Sequence, residues 1–328
     1  TRLMEFSPDN KLLAFVRTDE SQVKEFQFQT YNEELYPGFY KFKYPKPGEK
    51  NSLVDLHVFD IESRTIRKMN LPLNAEAYIP RITFTANEQE LVAMTLNRNQ
   101  NIFDMYFVNP RSAVAKLVLR EENKYFVDSE LLKHIHFLSD RFTYVSEKDG
   151  YSHIYIYGYT GTLQKQLTTG PFDVTNLLAV DAKSNTVFYE AADESPMQRS
   201  VYKVNIDKPK PVKLSTQSGM NSASFSSNGK YYINRFSNTT TPTLITMHDA
   251  NGKHLRVLED NQGVSDKLKS GIYPQKEFIT VPAADGLTQL NGWILKPKNF
   301  NPGKKYPVVM VQYSGPNSQQ VLDSYGIG

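Results

Sequence analysis

The chain has 328 residues, with 38 Lys and Arg against 35 Asp and Glu for a formal charge of +3, and it lacks the basic stripe that a nucleic-acid binder carries. It contains no cysteine, which excludes disulfides and zinc–thiolate sites but leaves the compartment open, and its six histidines include no helical i, i+4 pair able to grip a metal. No run approaches the ~18–20 apolar residues of a membrane span, and 20 Tyr and 19 Phe against one Trp lean the chain toward strands.

The opening "TRLMEFSPDN" lacks the apolar core of a signal peptide and reads as the middle of a domain. From there a two-part unit repeats. The first copy has "FSPDNKLLAF" at Phe6, an insertion "YNEELYPGFYKFKYPKPGEKNS", and then "LHVFDIESRTIRKMNL". The second joins "FTANEQELVA" at Phe84 to "MYFVNPRSAVAKLVL", and the third joins "FLSDRFTYV" at Phe137 to "IYIYGYTGTLQKQLT". The fourth has a weaker "AVDAKSNTVFY" around Val180 before "VYKVNIDKPKPVKLS". The fifth runs from "FSSNGKYYI" at Phe225 to "LITMHDANGKHLRVLED".

The later turn of each copy begins at Asp60, Asn109, Gly158, Asn205 and Asp249, so successive spacings are 49, 49, 47 and 44. Asp149-Gly150, Thr160-Gly161, Asn228-Gly229 and Asn251-Gly252 mark tight hairpins, because such pairs tolerate positive φ. In "DGYSHIYIYGYTGTLQKQL", Tyr151, His153, Tyr155 and Tyr157 share one face of a strand, with Ser152, Ile154 and Ile156 on the other. Two markers in phase, with about four strands per period, predict a β-propeller with one blade per repeat. A β-sandwich would not need both markers in step. The insertion, with its prolines and Gly, predicts an extended crossing at one rim rather than a helix.

After the fifth copy the texture changes. "QGVSDKLKS" predicts one short helix with Val264, Leu268 and Ile272 along one side. "EFITVPAADGLTQLNGWILKPKNF" predicts two strands around Asp285-Gly286, and "YPVVMVQY" predicts a buried strand over Val308–Val311. This is no sixth blade. The expected organisation is propeller blades over residues 1–265 and the beginning of an α/β-hydrolase domain over residues 270–328.

An α/β-hydrolase sheet often begins this way, with a loop after an early strand supplying part of the oxyanion hole and the nucleophile on a later Gly-x-Ser-x-Gly elbow. Tyr313, at the tip of the predicted strand, could direct its phenol O–H at the oxyanion, a contribution of about 3–4 kcal/mol to the barrier. On spacing alone it could equally cap the strand with its ring half-buried.

"FSPDNKLLAFVRTDESQVKEF", "YKFKYPKPGEKNS", "EKDGYSHIYIY", "HLRVLEDN" and "KKYPVVMVQYSGPNSQ" together resemble the prolyl oligopeptidase family of serine peptidases, and within it the dipeptidyl peptidase IV type, over nearly the whole chain. The resemblance implies an eight-bladed propeller, five blades of it here, that gates and orients substrate above an α/β-hydrolase domain. It implies an enzyme without cofactor or metal that releases Xaa-Pro or Xaa-Ala dipeptides from free N-termini. That enzyme is expected as a homodimer, periplasmic or exported, with peptides rather than nucleic acid as partners. Tyr313 matches the family's oxyanion donor in its Tyr-x-Gly-Pro loop.

The departures are as informative as the matches. No Gly-x-Ser-x-Gly occurs. "GYSHI" at Gly150 lacks the second Gly, and its Ser152 and His153 would point to opposite faces of a strand. None of the six histidines matches a catalytic base. The Ser, Asp and His of the triad are therefore expected beyond Gly328, the chain is expected to be inactive alone, and the adjacent glutamates that hold the substrate's ammonium are expected before Thr1. Glu33-Glu34 lies downstream of that position, in the insertion, and reads as a solvated pair. "ENKYFVDSE" falls in a plausible substrate region without yielding a residue by residue match. Asn238-Thr239-Thr240 is a weak glycosylation sequon. An acylaminoacyl peptidase or oligopeptidase of the same family is the nearer alternative. A non-catalytic propeller scaffold is the farther one, and it leaves the "PVVMVQYSGP" stretch without a purpose.

Overall fold

The computed structural model describes residues 3–271, 273–313, 315 and 317–326, most of them in strands and the turns that join them. In chain order the first strands are β1 (Met4–Phe6), β2 (Leu12–Asp19), β3 (Glu25–Thr30), β4 (Gly38–Lys43), β5 (Leu53–Asp60) and β6 (Thr65–Lys68). The order β1-β2-β5-β6 makes one antiparallel sheet, and β3 pairs with β4 alone. The second sheet takes β7 (Tyr78–Phe84), β8 (Leu91–Leu96), β9 (Ile102–Val108) and β10 (Ala115–Glu122).

A 3₁₀ turn over Ser129–His134 precedes the third sheet of β11 (His136–Phe137), β12 (Arg141–Ser146), β13 (His153–Gly158) and β14 (Leu163–Gln166). The fourth comprises β15 (Val174–Asp181), β16 (Thr186–Ala191), β17 (Ser200–Asn205) and β18 (Val212–Lys213). The fifth comprises β19 (Met220–Phe225), β20 (Tyr231–Asn238), β21 (Thr241–Asp249) and β22 (His254–Glu259). Helix α1 (Gln262–Lys269) and the hairpin β23 (Lys276–Pro282) with β24 (Gln289–Leu295) follow. The chain divides into two compact units, Thr1–Val145 with Ile156–Lys165 and Ser146–Tyr155 with Gln166–Gly328.

The two sequence markers have a shared cause, a side chain that closes a turn. In the first marker Ser7 Oγ accepts from Leu12 N at 2.9 Å and donates to Asp9 Oδ1 at 2.6 Å, while Lys11 N donates to Asp9 at 3.1 Å. Ser226 and Asn228 repeat this with Tyr231 N and Lys230 N at 3.2 and 3.1 Å. In the second marker one Oδ1 accepts two backbone N–H groups. Asp60 takes Glu62 and Ser63, Asn109 takes Arg111 and Ser112, Asn205 takes Asp207 and Lys208, and Asp249 takes Asn251 and Lys253. Such Asx and Ser turns offer the backbone a local partner just where the ladder stops. They also correct one expectation. Gly150, Gly161, Gly229 and Gly252 have φ of +100°, +86°, +65° and +90°, but the Asp, Asn or Thr before each does not turn left-handed.

Burial then stacks the sheets. In the first unit Leu12, Ala14, Leu56 and Val58 of one sheet share a core with Ile82, Leu91, Ala93 and Val108 of the next. In the second unit Phe188 and Val201 pack against Ala223 and Tyr232 in the same way. Each fully buried aliphatic or aromatic side chain is worth about 1.5–3 kcal/mol. All six residues of β13 are buried. Repeated four-stranded antiparallel meanders packed face to face are the blades of a β-propeller.

One buried charge runs against this packing. Glu190, on β16, is 7 % exposed, and its Oε1 accepts from Ala223 N at 3.2 Å. Burial pushes its carboxyl above the ordinary value, with the Ala223 hydrogen bond and Arg199 only partly opposing. A raised acid pKa contributes stability below the unfolded value and loses it as pH rises through the folded one. Glu190→Gln, which keeps the acceptor, should therefore raise the melting temperature at pH 7 and leave it unchanged near pH 4. An equal shift at both pH values would remove ionisation as the cause.

Candidate active site

The predicted strand over Val308–Val311 is the main correction. These four residues are in no strand and are 81–89 % exposed. The cause is pairing, not composition: β23 and β24 bond only to each other, and no strand among the described residues lies beside 308–311. A β-branched run without a neighbour has neither ladder hydrogen bonds nor a face to bury. The two preceding strands do form, joined over Asp285, whose Oδ1 accepts from Leu287 N and Thr288 N at 2.9 Å each.

Tyr313 is 66 % exposed at the end of this run. Its ring folds back over Gly315, so that a Cβ built there would lie 3.0 Å from the phenol oxygen and 2.7 Å from Cε1. The missing side chain at Gly315 is thus what lets the phenol lie where it does. Ser318 N donates to Gly315 O at 3.2 Å, and Asn317 is left-handed at φ +54°. Ser314 and Pro316 of the quoted loop, and Ile272 of the predicted helix face, lie outside the described residues.

The other sequence candidates separate cleanly. His153 is buried, with Nε2 at 3.0 Å from Gly170 O and Nδ1 at 3.1 Å from Thr168 Oγ1. Because a carbonyl can only accept, Nε2 carries the proton and Nδ1 accepts from the threonine, which itself accepts from Ile154 N. Both nitrogens are committed to structure. Ser152 lies next in the chain with its Oγ buried and without a hydrogen-bond partner among the described residues, and its N–H donates to Asp173 Oδ1 at 2.8 Å. Glu33 and Glu34 are exposed in the tip between β3 and β4. In "ENKYFVDSE" Tyr125 is 75 % exposed, while Asp128 accepts from Glu130 N and caps the 3₁₀ turn.

The first unit also holds a cavity of about 800 Å³ that sequence reasoning missed, lined by Val16, Thr18, Glu20, Tyr78, Gln100 and Ser129 among others. Its residues come from six separate stretches between Leu3 and Ser129, so no local pattern marks them.

The model of the dipeptidyl peptidase IV (DPP IV) N-terminal region matches residues 1–243. This chain belongs to that family. It is 49 % identical to the crystal structure of Porphyromonas gingivalis dipeptidyl peptidase 4, with a TM-score of 0.94 over 100 % of this chain and 46 % of that one. Dipeptidyl peptidase 4 of Trichophyton rubrum is 29 % identical over 338 residues, covering 98 % of this chain and 43 % of that protein. Dipeptidyl peptidase 4 of Arthroderma otae is 28 % identical over the same length and shares. The chain thus spans less than half the length of these relatives. No described helix is long and apolar enough to cross a membrane.

Proposed function

We propose that the whole protein is a serine exopeptidase that releases Xaa-Pro and Xaa-Ala dipeptides from free peptide N-termini. The observation that carries this reading is 49 % identity, over the full chain, to a dipeptidyl peptidase 4. In this reading residues 1–265 are propeller blades that admit and orient the peptide, and residues 270–328 open the hydrolase domain. Tyr313 donates its phenol proton to the oxyanion of the tetrahedral intermediate, while a serine, a histidine and an aspartate elsewhere in the protein carry the acyl transfer. No cofactor is required. An exported or periplasmic setting suits an enzyme that meets peptides.

The deciding experiment compares Gly-Pro-nitroanilide with its N-acetylated form on the full-length protein. Release from the free amine alone is the expected result. Equal release from both would point to an endopeptidase or acylaminoacyl peptidase instead. The 328-residue chain by itself should release nothing.

A homodimer is the expected assembly, and the β3–β4 hairpin supports it. The insertion predicted as an extended crossing is a two-stranded arm, with Phe26, Phe28, Tyr40, Phe42 and Tyr44 in a ladder of ring contacts. Tyr31, Leu35 and Tyr36 at its tip are 77, 90 and 80 % exposed. A contiguous exposed aromatic surface on a projecting hairpin marks an interaction site. Replacing these three tip residues by Ser should shift the full-length protein from dimer to monomer in sedimentation. An unshifted dimer would assign the arm another role.

A further inference from the structure

Tyr313 has no fixed support from the segment before it in this chain, because residues 308–311 are unpaired and exposed. The segment after it is different. Gln319 Nε2 donates to Pro196 O at 2.5 Å, and Arg199 Nη2 donates to Gln319 Oε1 at 2.6 Å. Four residues on, Asp323 makes three contacts with the blades. Its N–H donates to Met197 O at 2.9 Å, its Oδ2 accepts from Gln198 Nε2 at 2.9 Å, and its Oδ1 accepts from Thr239 N at 3.0 Å. Tyr325 N then donates to Ser237 Oγ at 3.3 Å.

These partners belong to two blades. Residues 196–199 lead into β17 of the fourth, and Ser237 and Thr239 lie at the β20–β21 turn of the fifth. Asp323 is the hub, since one side chain joins both. It also faces Lys276 at the start of β23, whose ammonium burial pulls down and Asp323 pulls up. A carboxylate with both oxygens and its own amide engaged is a rigid fixture.

We propose that Asp323, with Gln319, is a positioning clasp that ties the Tyr313 loop to the fourth and fifth blades and so sets where the phenol points. The physical route is short. Gln319 follows Ser318, whose N–H donates to Gly315 O, and Gly315 is the glycine on which the Tyr313 ring lies. The clasp makes the propeller part of the catalytic geometry as well as a gate. A displacement of about 1 Å at a reacting group can cost 10²-fold in rate.

This inference rests on the reading of Tyr313 as oxyanion donor, so its test is a cycle on the full-length enzyme. Asp323→Ala should lower kcat by about 10-fold or more with KM nearly unchanged. In a Tyr313→Phe background the same change should lower kcat no further, because the group it positions has lost its proton donor. A loss of stability alone would lower both backgrounds equally, and that result overturns the clasp. So does an unchanged kcat for Asp323→Ala in an enzyme that Tyr313→Phe does slow. If Tyr313→Phe itself leaves kcat unchanged, the oxyanion reading falls and the clasp falls with it.

Should Asp323→Ala fail to fold, the exchanged pair keeps the test sharp. Gln198→Glu alone sets two carboxylates against each other and should slow the enzyme. Adding Asp323→Asn restores one donor and one acceptor across the gap and should recover kcat. No recovery from the exchange would overturn the assignment of Asp323 and Gln198 as partners.

Discussion

Tyr313→Phe in the full-length enzyme is expected to lower kcat by about 10²–10³, with KM changed little, because one preorganised oxyanion donor is worth about 3–4 kcal/mol. The substitution is clean for a structural reason. Phenylalanine keeps the ring that folds over Gly315. Only the proton donor is removed. Steady-state kinetics on Gly-Pro-nitroanilide would show the loss in kcat, since the developing oxyanion, not the ground-state carbonyl, receives the bond. A kcat within about two-fold of wild type would reduce Tyr313 to a ring that packs against its own loop.

The blades were legible in the sequence because their markers are local. A Ser or Thr two residues before an Asx, or an Asx two and three residues before free N–H groups, closes its own turn without help from distant chain. Thr85 shows how tolerant the device is, with its Oγ1 accepting from Asn87 N at 3.1 Å where other copies carry Ser. Gly158, the one later turn without an Asx side chain, closes through its backbone N–H on Thr162 O at 3.0 Å. The short helix was legible from the spacing of Val264 and Leu268, although none of its residues is buried and Val264 remains 36 % exposed.

What was not legible depends on partners far away in the chain. The apolar run before Tyr313 carries strand propensity, but propensity does not supply a neighbour. The arm was read as a crossing because of its prolines, Pro37 just before β4 and Pro45 and Pro47 beyond it, while the alternating rings of "EFQFQT" and "GFYKFK" were overlooked. Asp323 is invisible for a third reason. Its partners Gln198 and Thr239 are 125 and 84 residues away, and an aspartate in "VLDSY" has no spacing that reveals them.

Gly161→Ala should be the most damaging single-methyl change in the blades. Gly161 sits in the turn between β13 and β14 at φ +86°, and an alanine Cβ there would lie 1.9 Å from the carbonyl oxygen of Val118. Val118 is on β10 of the preceding blade and is 8 % exposed, so the atom in the way is buried backbone. The left-handed conformation costs a non-glycine residue about 1–2 kcal/mol, and overpacking against a fixed neighbour adds about 1–3 kcal/mol. At about 2–4 °C per kcal/mol for a domain of this size, the melting temperature should fall by roughly 5–15 °C.

Gly150→Ala supplies the internal standard. Its φ is +100°, also left-handed, but nothing lies within 4 Å of the added methyl. That variant should lose only the conformational part, so the difference between the two melting temperatures isolates the approach of one blade to the next. Equal losses would mean that the Val118 strand yields at little cost. A larger loss at Gly161 would show that the glycine is there to let two blades touch, a role that a turn signal in the sequence conceals because it explains the same residue by itself.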